Sequence, residues 1–423
     1  MIDTREPWPP AKRIAFRFFF VLLVLSGLKM LAIFSPLGVL GRPYWFVWKT
    51  ILYKLSPLVF RVTPVGTLQG SDSLTAWLLQ LWTLTFAVVA ALAWTSRSNA
   101  TEHGRLFDVQ RTFVRYATSC AILGYGLAKV FLVQFWRPTP TDLIQTFAGS
   151  SPFALMWRFT GYSSPYQFFG GVLEVLGALL LLWRRTTTLG AIIIVGVMTN
   201  VVMLNFCYQI PVKNFSMELL LLASWLLAPQ GRRLWAALLS RDVPPPSPLR
   251  PFPLSRRLER ARLVGKGLWL VGIVGVSVSF GGLRAWRRHH APAAKPALWG
   301  AYDVESFTVA GVPSSPSAAH SWRQVAFGAS WSPAMAIVTG DGEYHLFDMQ
   351  HDAAHGTVAL SDPYIEDDPK PQHLSVKIVD AAHLEVGGTL DGQRVQARLV
   401  QRDLSHATLD RAFHWVDDGG YFR

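Results

Sequence analysis

The segment IAFRFFFVLLVLSGLKMLAIF, residues 14–34, decides the fold class of this chain. Its residues are mostly apolar, and its charges are Arg17 and Lys29. A run of 18 or more residues with few charges is long enough to cross the ~30 Å hydrocarbon core of a bilayer as a helix. Lys12 and Arg13 precede it, but it is too long for a signal peptide and has no small-residue cleavage pattern. It therefore predicts an uncleaved membrane helix.

Similar apolar segments recur to about residue 284 and then stop. The basic residues lie in alternate connections between them, and short connections rich in Lys and Arg remain in the cytoplasm. We therefore expect a multi-pass protein of the cell membrane with a cytoplasmic N-terminus and an extracytoplasmic C-terminal domain, although Arg284, Arg287 and Arg288 conflict with this orientation. The predicted spans, about seven, are Ile14–Phe34, Ser73–Thr95, Tyr116–Phe135, Tyr166–Trp183, Leu189–Cys207, Phe215–Ala228 and Gly267–Leu283.

The composition narrows the classes of partner. The net charge of +13 would suggest a nucleic-acid partner in a soluble protein. Here Lys and Arg concentrate beside the apolar segments, where they fix orientation and contact anionic lipid head groups. We expect membrane lipids as partners and no nucleic acid. Cys120 and Cys207 form neither a disulfide framework nor a CxxC redox pair.

After Leu298 the pattern changes to short alternating segments separated by turn signals such as Gly340-Asp341-Gly342 and Asp391-Gly392. Many short strands with tight turns predict an antiparallel meander, closed as a small β barrel or folded as a sandwich. The predicted strands are Tyr302–Val309, Trp322–Phe327, Ala334–Val338, Tyr344–Met349, Thr357–Leu360, Leu374–Val379, His383–Leu390 and Arg394–Val400.

The predicted fold class is a mainly α membrane bundle followed by a C-terminal antiparallel β domain. Residues 36–70 are typical of a helix lying in the membrane interface, and residues 137–164 form a second outside loop. Pro244–Pro248 and the Arg-rich stretch Arg256–Arg262 indicate a cytoplasmic linker that ends in an interfacial helix. The expected parts are 1–112 (two spans with an interfacial segment), 113–230 (a four-helix bundle), 231–265 (the basic, Pro-rich linker), 266–290 (the last span) and 298–423 (the extracytoplasmic β domain).

Charged residues inside the spans are the candidate functional groups. Lys129 and Glu174 lie deep inside predicted spans. Placing a charged side chain there costs ~2.5–3.5 kcal/mol, so each should face the bundle interior with a partner. Gly170, Glu174 and Gly177 have i, i+4, i+7 spacing, which puts the carboxylate on a small-residue face. We expect a polar pocket in the outer half of the bundle with two cations and two anions, Lys129, Lys213, Glu174 and Glu218. Its other expected members are Tyr125, Asn200, Asn205 and Ser216.

Two interpretations of this pocket remain open. In the first, its carboxylates and amines bind the head of a quinone or another hydrophobic substrate and exchange protons with it, with Glu174 and Lys129 as the catalytic residues. In the second, they are ion pairs that lock a bundle lacking a hydrophobic driving force. The sequence carries no motif for flavin, haem or a phosphate loop, and its histidines and acidic residues lack the spacing of a metal site.

A set of short motifs connects part of the chain with a known family. The motifs are Gly126…Lys129, Gly171…Glu174…Gly177 leading into Leu179–Leu182, Arg184-Arg185-Thr186 and Asn200…Asn205. With them, residues 114–229 resemble the DoxX-like family of four-helix membrane proteins. DoxX-type proteins have been linked to quinone-dependent oxidation of sulfur compounds, so the resemblance implies a quinone-linked oxidoreductase or its accessory subunit. Longer relatives pair the bundle with a β-rich tail that ends in an aromatic motif similar to Phe413-His414-Trp415.

The chain also departs from that family. Two additional predicted spans precede the four-helix unit and one follows it, and no cysteine pair supports thiol redox chemistry. A more distant likeness to the transmembrane part of vitamin-K-dependent carboxylases would make Lys129 or Lys213 a base. Two other functions stay open: a non-enzymatic binding or assembly protein whose β domain engages an extracytoplasmic protein partner, and a small-solute transporter.

Overall fold

The computed structural model describes residues 7–34, 41–66, 72–239, 255–277, 297–315, 317–329, 332–362 and 371–403. The chain separates into two compact units. The helical unit comprises residues 1–134 and 164–289, and the β unit comprises residues 135–163 and 290–423. The predicted proline-rich linker at 244–248, the end of the last predicted span from residue 278 and the motif Phe413-His414-Trp415 lie outside the described residues.

The described helices follow the apolar segments of the sequence, and two shorter ones lie in the β unit. They are α1 (Pro10–Phe34), α2 (Gly41–Val59), α3 (Leu74–Arg97), α4 (Gly104–Val130), α5 (Pro140–Leu143), α6 (Pro152–Tyr162), α7 (Ser164–Leu181), α8 (Thr187–Cys207), α9 (Lys213–Leu227), α10 (Gly231–Leu239) and α11 (Arg256–Ser277).

Four of the described helices, α1, α3, α7 and α8, are long and apolar enough to cross a membrane. They match four of the seven predicted spans, and the count of seven is not confirmed. The first half of α4 is rich in charged residues, and the 15 residues of α9 give a helix only ~22 Å long. The predicted interfacial helix at Arg256–Arg262 is not separate, because α11 continues through it to Ser277.

Glycines set the closest helix crossings of the helical unit. A Cβ atom at Gly171 would stand 2.8 Å from the carbonyl oxygen of Gly126, so α7 and α4 meet backbone to backbone. A Cβ atom at Gly190 would stand 2.8 Å from the carbonyl oxygen of Gly177, which brings α8 onto α7 in the same way. Small residues at helix interfaces allow this approach inside a membrane, where packing rather than hydrophobicity drives association.

The β unit contains an eight-stranded antiparallel barrel. Its strands follow in the order β1, β3, β4, β5, β6, β7, β8, β9, and pairing of β9 with β1 closes the ring. Of the two predicted forms, the barrel is therefore the observed one, and all eight predicted strands are confirmed. The strands are β1 (Gly300–Val309), β2 (Val312–Ser314), β3 (Trp322–Ala329), β4 (Pro333–Thr339), β5 (Tyr344–Asp352), β6 (Thr357–Ser361), β7 (Gln372–Ile378), β8 (His383–Leu390) and β9 (Gln393–Gln401).

The short strand β2 was not predicted. It forms a hairpin with β1 around Ala310 and Gly311, both of which have positive φ angles. The barrel interior is a packed apolar core in which Phe307 stacks on Trp322 at 5.3 Å between ring centroids. Inward residues alternate with outward ones along most strands, as expected for a small barrel.

Residues 135–163, which we call the inserted segment, pack against the outside of this barrel. Ile144 lies in one apolar cluster with Ala301, Ala326 and Ala336 of β1, β3 and β4. The Tyr344 hydroxyl donates a hydrogen bond to the carbonyl oxygen of Thr141 at 3.1 Å. The sequence predicted an outside loop here; the structure adds two short helices, of which α5 packs on one outer face of the barrel.

Candidate functional site

The first predicted pair of charges meets inside the helical unit. Lys129 Nζ donates to both oxygens of Glu174, at 2.9 and 2.8 Å. The two side chains are 14% and 4% exposed, so both members of the pair are largely buried. The glycine crossing of α4 and α7 explains this geometry, because Gly126 and Gly171 each lie three residues before one of the charged partners.

The glycine face of α7 differs by one residue from the predicted one. A Cβ atom at Gly170 would have no atom of the described residues within 4 Å, whereas Gly171 is in backbone contact with α4. Gly171 and Glu174, with i, i+3 spacing, therefore face α4, whereas Gly177 faces α8.

A second buried ion pair joins α1 and α9. Lys29 Nζ pairs with Glu218 Oε2, and their side chains are 11% and 2% exposed. The other oxygen, Glu218 Oε1, is buried and has no hydrogen-bond partner among the described residues. Burial raises the pKa of the Tyr44 phenol in α2, and the negative charge of Glu218 contributes to the same shift. Glu218 is thus a buried carboxylate with hydrogen-bonding capacity left over.

Three aromatic rings lie between these two pairs. The rings of Phe34, Tyr125 and Phe215 are 5.2 to 6.0 Å apart between centroids, and we call them the ring cluster. Lys129 Nζ lies 5.7 Å from the Tyr125 ring centroid, and Lys29 Nζ lies 5.9 Å from that of Phe215. The two ammonium groups therefore flank one aromatic cluster at cation–π distance.

Lys213 takes part in a third pair rather than joining Glu218. Its ammonium lies 3.5 Å from Asp72 Oδ2, just before α3. The Asp72 carboxylate also accepts hydrogen bonds from the backbone N–H groups of Lys213, at 2.8 Å, and Asn214, at 3.1 Å, at the start of α9. Since a carboxylate is favourable at a helix N-terminus, this pair has an evident structural role. The single pocket predicted for all four charges is therefore three separate pairs.

The other predicted site residues lie in different places. Asn205 is buried, and its amide donates to the carbonyl oxygen of Val212 at 3.4 Å, which supports the turn between α8 and α9. Ser216 donates to the carbonyl oxygen of Lys213 at 2.9 Å. Asn200 is exposed on α8. Of these polar residues, Tyr125 is the one that the structure brings beside both Lys129 and the ring cluster.

Sequence reasoning missed two partners, Lys29 and Asp72. Lys29 carries the same signal as Lys129, a cation within an apolar segment, and could have been found by applying the same argument to the first span. Asp72 gives no such signal, because it lies in a polar connection immediately before Ser73, the N-cap residue of α3. Its role depends on where the start of α9 lies in three dimensions.

Another buried cation lies near the start of α1. Arg17 Nε donates to His103 Nε2 at 3.2 Å, and its Nη2 donates to the carbonyl oxygen of Ser98 at 3.3 Å. The Phe16 ring stacks on His103 at 5.3 Å. Burial lowers the pKa of His103, and the charge of Arg17 adds to the effect. The imidazole is therefore neutral near pH 7 and serves as an acceptor for the guanidinium.

Chemically, the two pairs and the ring cluster offer three things. The rings provide a flat apolar surface, the ammonium groups provide donors, and Glu218 Oε1 provides an acceptor with no hydrogen-bond partner among the described residues. Carboxylates and amines so placed can hold a polar head group and exchange protons with it. Among the described residues, no group of three or more His, Cys, Asp or Glu side chains is arranged to hold a metal ion.

Comparisons with known proteins give one partial similarity. No family model and no solved structure matches the chain. The uncharacterized protein YwoB of Bacillus subtilis (strain 168) is 43% identical over 103 residues, which is 24% of this chain. The chain spans 65% of the length of that relative. Its name states no activity, so an argument about function depends on the geometry above.

Proposed function

We propose that this chain is a DoxX-like polytopic membrane protein that binds the head of a quinone, or of a similar hydrophobic substrate, at the ring cluster of its helical bundle. Lys129 and Glu174 orient the head group and move protons to and from it, and Tyr125 contacts its ring. The observation that carries the proposal is the buried oxygen Glu218 Oε1, which has no hydrogen-bond partner in the described part of the chain beside those rings.

The energetics of buried polar groups support a ligand at this place. Leaving a buried acceptor unsatisfied costs ~1–3 kcal/mol, and more when the group is charged. A hydroxyl of a reduced quinone is a donor that would satisfy Glu218 Oε1. The Phe34, Tyr125 and Phe215 rings would stack on a quinone ring, in keeping with the offset and tilted geometries that aromatic pairs prefer.

The placement of the charges along their helices also supports the proposal. Lys29 and Lys129 lie toward the ends of α1 and α4, whereas Glu218 lies toward the start of α9. In the proposed orientation these helix ends all face outward. A substrate in the bilayer would then reach the site from the outer leaflet.

We further propose the seven-span topology, with a cytoplasmic N-terminus and an extracytoplasmic barrel. The inserted segment supports it, because its packing on the barrel requires both to lie on the same side of the membrane. An even number of crossings must therefore separate residue 163 from residue 298. The helices α7, α8, α9 and α11 supply four.

A second function is favoured by one specific observation, that each of the three pairs joins different parts of the bundle. Lys129–Glu174 links α4 to α7, Lys29–Glu218 links α1 to α9, and Lys213–Asp72 links α9 to the start of α3. Such cross-links would suit a non-enzymatic anchor whose barrel engages an extracytoplasmic protein.

The test is the quinone content of the purified protein. Wild-type chain, Glu218→Gln and Tyr125→Phe are purified from membranes, extracted with solvent and analysed by chromatography for bound quinone. We expect quinone in the wild type and a loss of about tenfold or more in Glu218→Gln, because a hydrogen bond to a charged group contributes ~1.5–3 kcal/mol.

Asp72→Asn is the matched control. It removes a carboxylate from the third ion pair, away from the ring cluster, and its side-chain oxygen can still accept from the start of α9. It should keep its quinone. A wild type without bound quinone, or equal quinone in all four proteins, would overturn the proposal. If the amount of purified protein then fell equally in Glu218→Gln and Asp72→Asn, the result would favour the membrane anchor.

A further inference from the structure

A cavity of about 310 Å³ opens at the other end of the helical bundle, away from the ion pairs. Residues at the starts of α1 and α4 and at the end of α9 line it. This volume lies at the lower end of the range for small-molecule sites. The lining residues are Trp8, Lys12, Phe107, Trp225, Ala228 and Pro229.

The walls of this cavity are aromatic and held in place by neighbours outside it. Trp225 stacks on Phe19 at 5.1 Å between ring centroids and meets Phe107 at 6.1 Å. Trp8 packs edge-on against Phe16 at 5.4 Å, and its backbone N–H donates to the carbonyl oxygen of Thr101 at 2.9 Å. The cavity is therefore an apolar groove with preformed walls.

Lys12 supplies the charge of the groove. It is exposed, and its ammonium lies 4.4 Å from the centroid of the Trp8 ring. Within the part of the chain that the structure describes, it forms no ion pair with a carboxylate. Arg13 lies in the first turn of α1, and Arg105 lies in the first turn of α4. A cation beside apolar walls selects a ligand with an anionic head and an apolar body.

We propose that this groove binds one acyl chain of an anionic phospholipid, whose phosphate pairs with Lys12. The bundle is embedded in lipid, and the groove lies at helix ends, where head groups and chains meet. In the proposed orientation these ends face the cytoplasmic leaflet, which carries the anionic lipids that attract basic residues. An acyl chain is apolar, as most of the lining side chains are.

Native mass spectrometry of the full chain in detergent, with added phosphatidylglycerol or phosphatidylcholine, tests the proposal. We expect a retained phosphatidylglycerol adduct and weaker phosphatidylcholine binding. Lys12→Gln should reduce the preference for phosphatidylglycerol about fivefold, since a basic residue near an anionic membrane surface contributes ~1 kcal/mol. Arg185→Gln, which removes an exposed charge after α7 and outside the lining of the groove, is the matched control and should leave the preference unchanged.

A second variant tests the apolar part independently. Ala228→Phe places a ring in the groove from an exposed position, so it should fold and reduce the adducts of both lipids about tenfold or more. Equal binding of the two lipids by the wild type, or wild-type adducts in both Lys12→Gln and Ala228→Phe, would overturn the proposal. Stronger lipid adducts after removal of residues 2–6 would show that the chain's own N-terminus occupies the groove, and would also overturn it.

Discussion

At the scale of single residues, the position of one glycine decides whether two helices can touch. Gly171 has no room for a Cβ atom, because Gly126 O, Lys129 Cβ and Val130 N would each lie 2.8 Å away. Two of these three atoms belong to the backbone of α4 and cannot rotate aside. The Lys129–Glu174 pair therefore depends on a residue that carries no charge.

Gly171→Ala should lower the stability of the helical unit by about 1–3 kcal/mol, because the added methyl group forces α7 away from α4. Gly170→Ala is the matched control, since its Cβ atom meets open space and alanine favours a helix. The measurement is the thermal midpoint of the detergent-solubilised protein by fluorescence-detected size-exclusion chromatography. Equal midpoints for the two variants would contradict the crossing described here.

His103 predicts a pH dependence of stability. Its pKa is lowered in the folded chain, by burial first and then by the charge of Arg17, so the unfolded chain binds the proton more readily. The stability due to the neutral imidazole is full above the unfolded pKa of ~6.5 and falls as the pH drops from there toward the lowered folded value. Thermal midpoints between pH 8 and pH 5 measure this.

His103→Asn should flatten the fall in stability, since an amide can accept from Arg17 without titrating. His345→Asn, at an exposed histidine of β5, should leave the fall unchanged. Identical pH profiles for wild type and His103→Asn would mean that this imidazole is not the titrating group.

The charged side chains show which ion pairs could be predicted from the sequence. Lys129 and Glu174 could be predicted as partners, because each was an isolated charge in an apolar segment and needed compensation. Lys29 could likewise have been found as a buried cation, but its pairing with Glu218, and that of Asp72 with Lys213, depends on the packing of the whole bundle. The one-residue error on α7 arose because i, i+4 and i, i+3 spacings both describe one helix face.

At the scale of elements, the strands were predictable and the covering of the barrel was not. Alternation and turn signals mark all eight barrel strands. In β4, however, six residues in succession from Ala334 to Thr339 are buried. Small outward side chains, Ala326 and Ala336, leave room for Ile144 of the inserted segment. A run of small residues on a strand does not reveal which distant segment covers it.

The inserted segment should be held to the barrel by Ile144 and Tyr344. Ile144→Ser removes a buried apolar side chain from the cluster and should destabilise the β unit by about 2–4 kcal/mol. Tyr344→Phe removes the hydrogen bond to Thr141 and should cost about 1 kcal/mol. Proteolysis of the purified chain between residues 145 and 151 measures the detachment.

Phe147→Ser provides the control, because its side chain is 81% exposed. It should leave the cleavage rate within about twofold of wild type, as is usual for surface substitutions. Faster cleavage in Phe147→Ser than in Ile144→Ser would contradict the packing of the segment on the barrel.

At the scale of the whole molecule, the inserted segment and the barrel must be reached from the same side of the membrane. This can be measured with cysteines at exposed positions, since Cys120 is buried and Cys207 can be changed to serine. Phe147→Cys and Val312→Cys should both react with a membrane-impermeant maleimide on intact cells. Leu238→Cys in α10 should react only after the membrane is opened.

Two results would count against different parts of this topology. Reaction of Phe147→Cys and Val312→Cys from opposite sides would contradict the packing of the inserted segment. Reaction of both only in opened cells would leave that packing intact and reverse the proposed orientation. This orientation is a prediction from the basic residues alone, and the conflicting arginines after residue 283 lie outside the described residues.

The number of membrane-spanning helices could be predicted only in part. Four spans were predictable because their apolar segments are long and nearly free of charge. The others mix charges or are short, and whether they cross depends on partners such as Lys29, which neutralises Glu218 in α9. Their position in the membrane is a property of the assembled bundle.

The central claim is that Lys129 and Glu174 compensate each other inside the bundle, and a double-mutant cycle tests it most directly. The free energy of unfolding is measured in micelles for the wild type, Lys129→Met, Glu174→Leu and the double variant. Each single change should cost ~3–5 kcal/mol by leaving one charge buried and unpaired, and the double variant should recover much of that loss. Additivity of the two single changes within ~0.5 kcal/mol would contradict the claim.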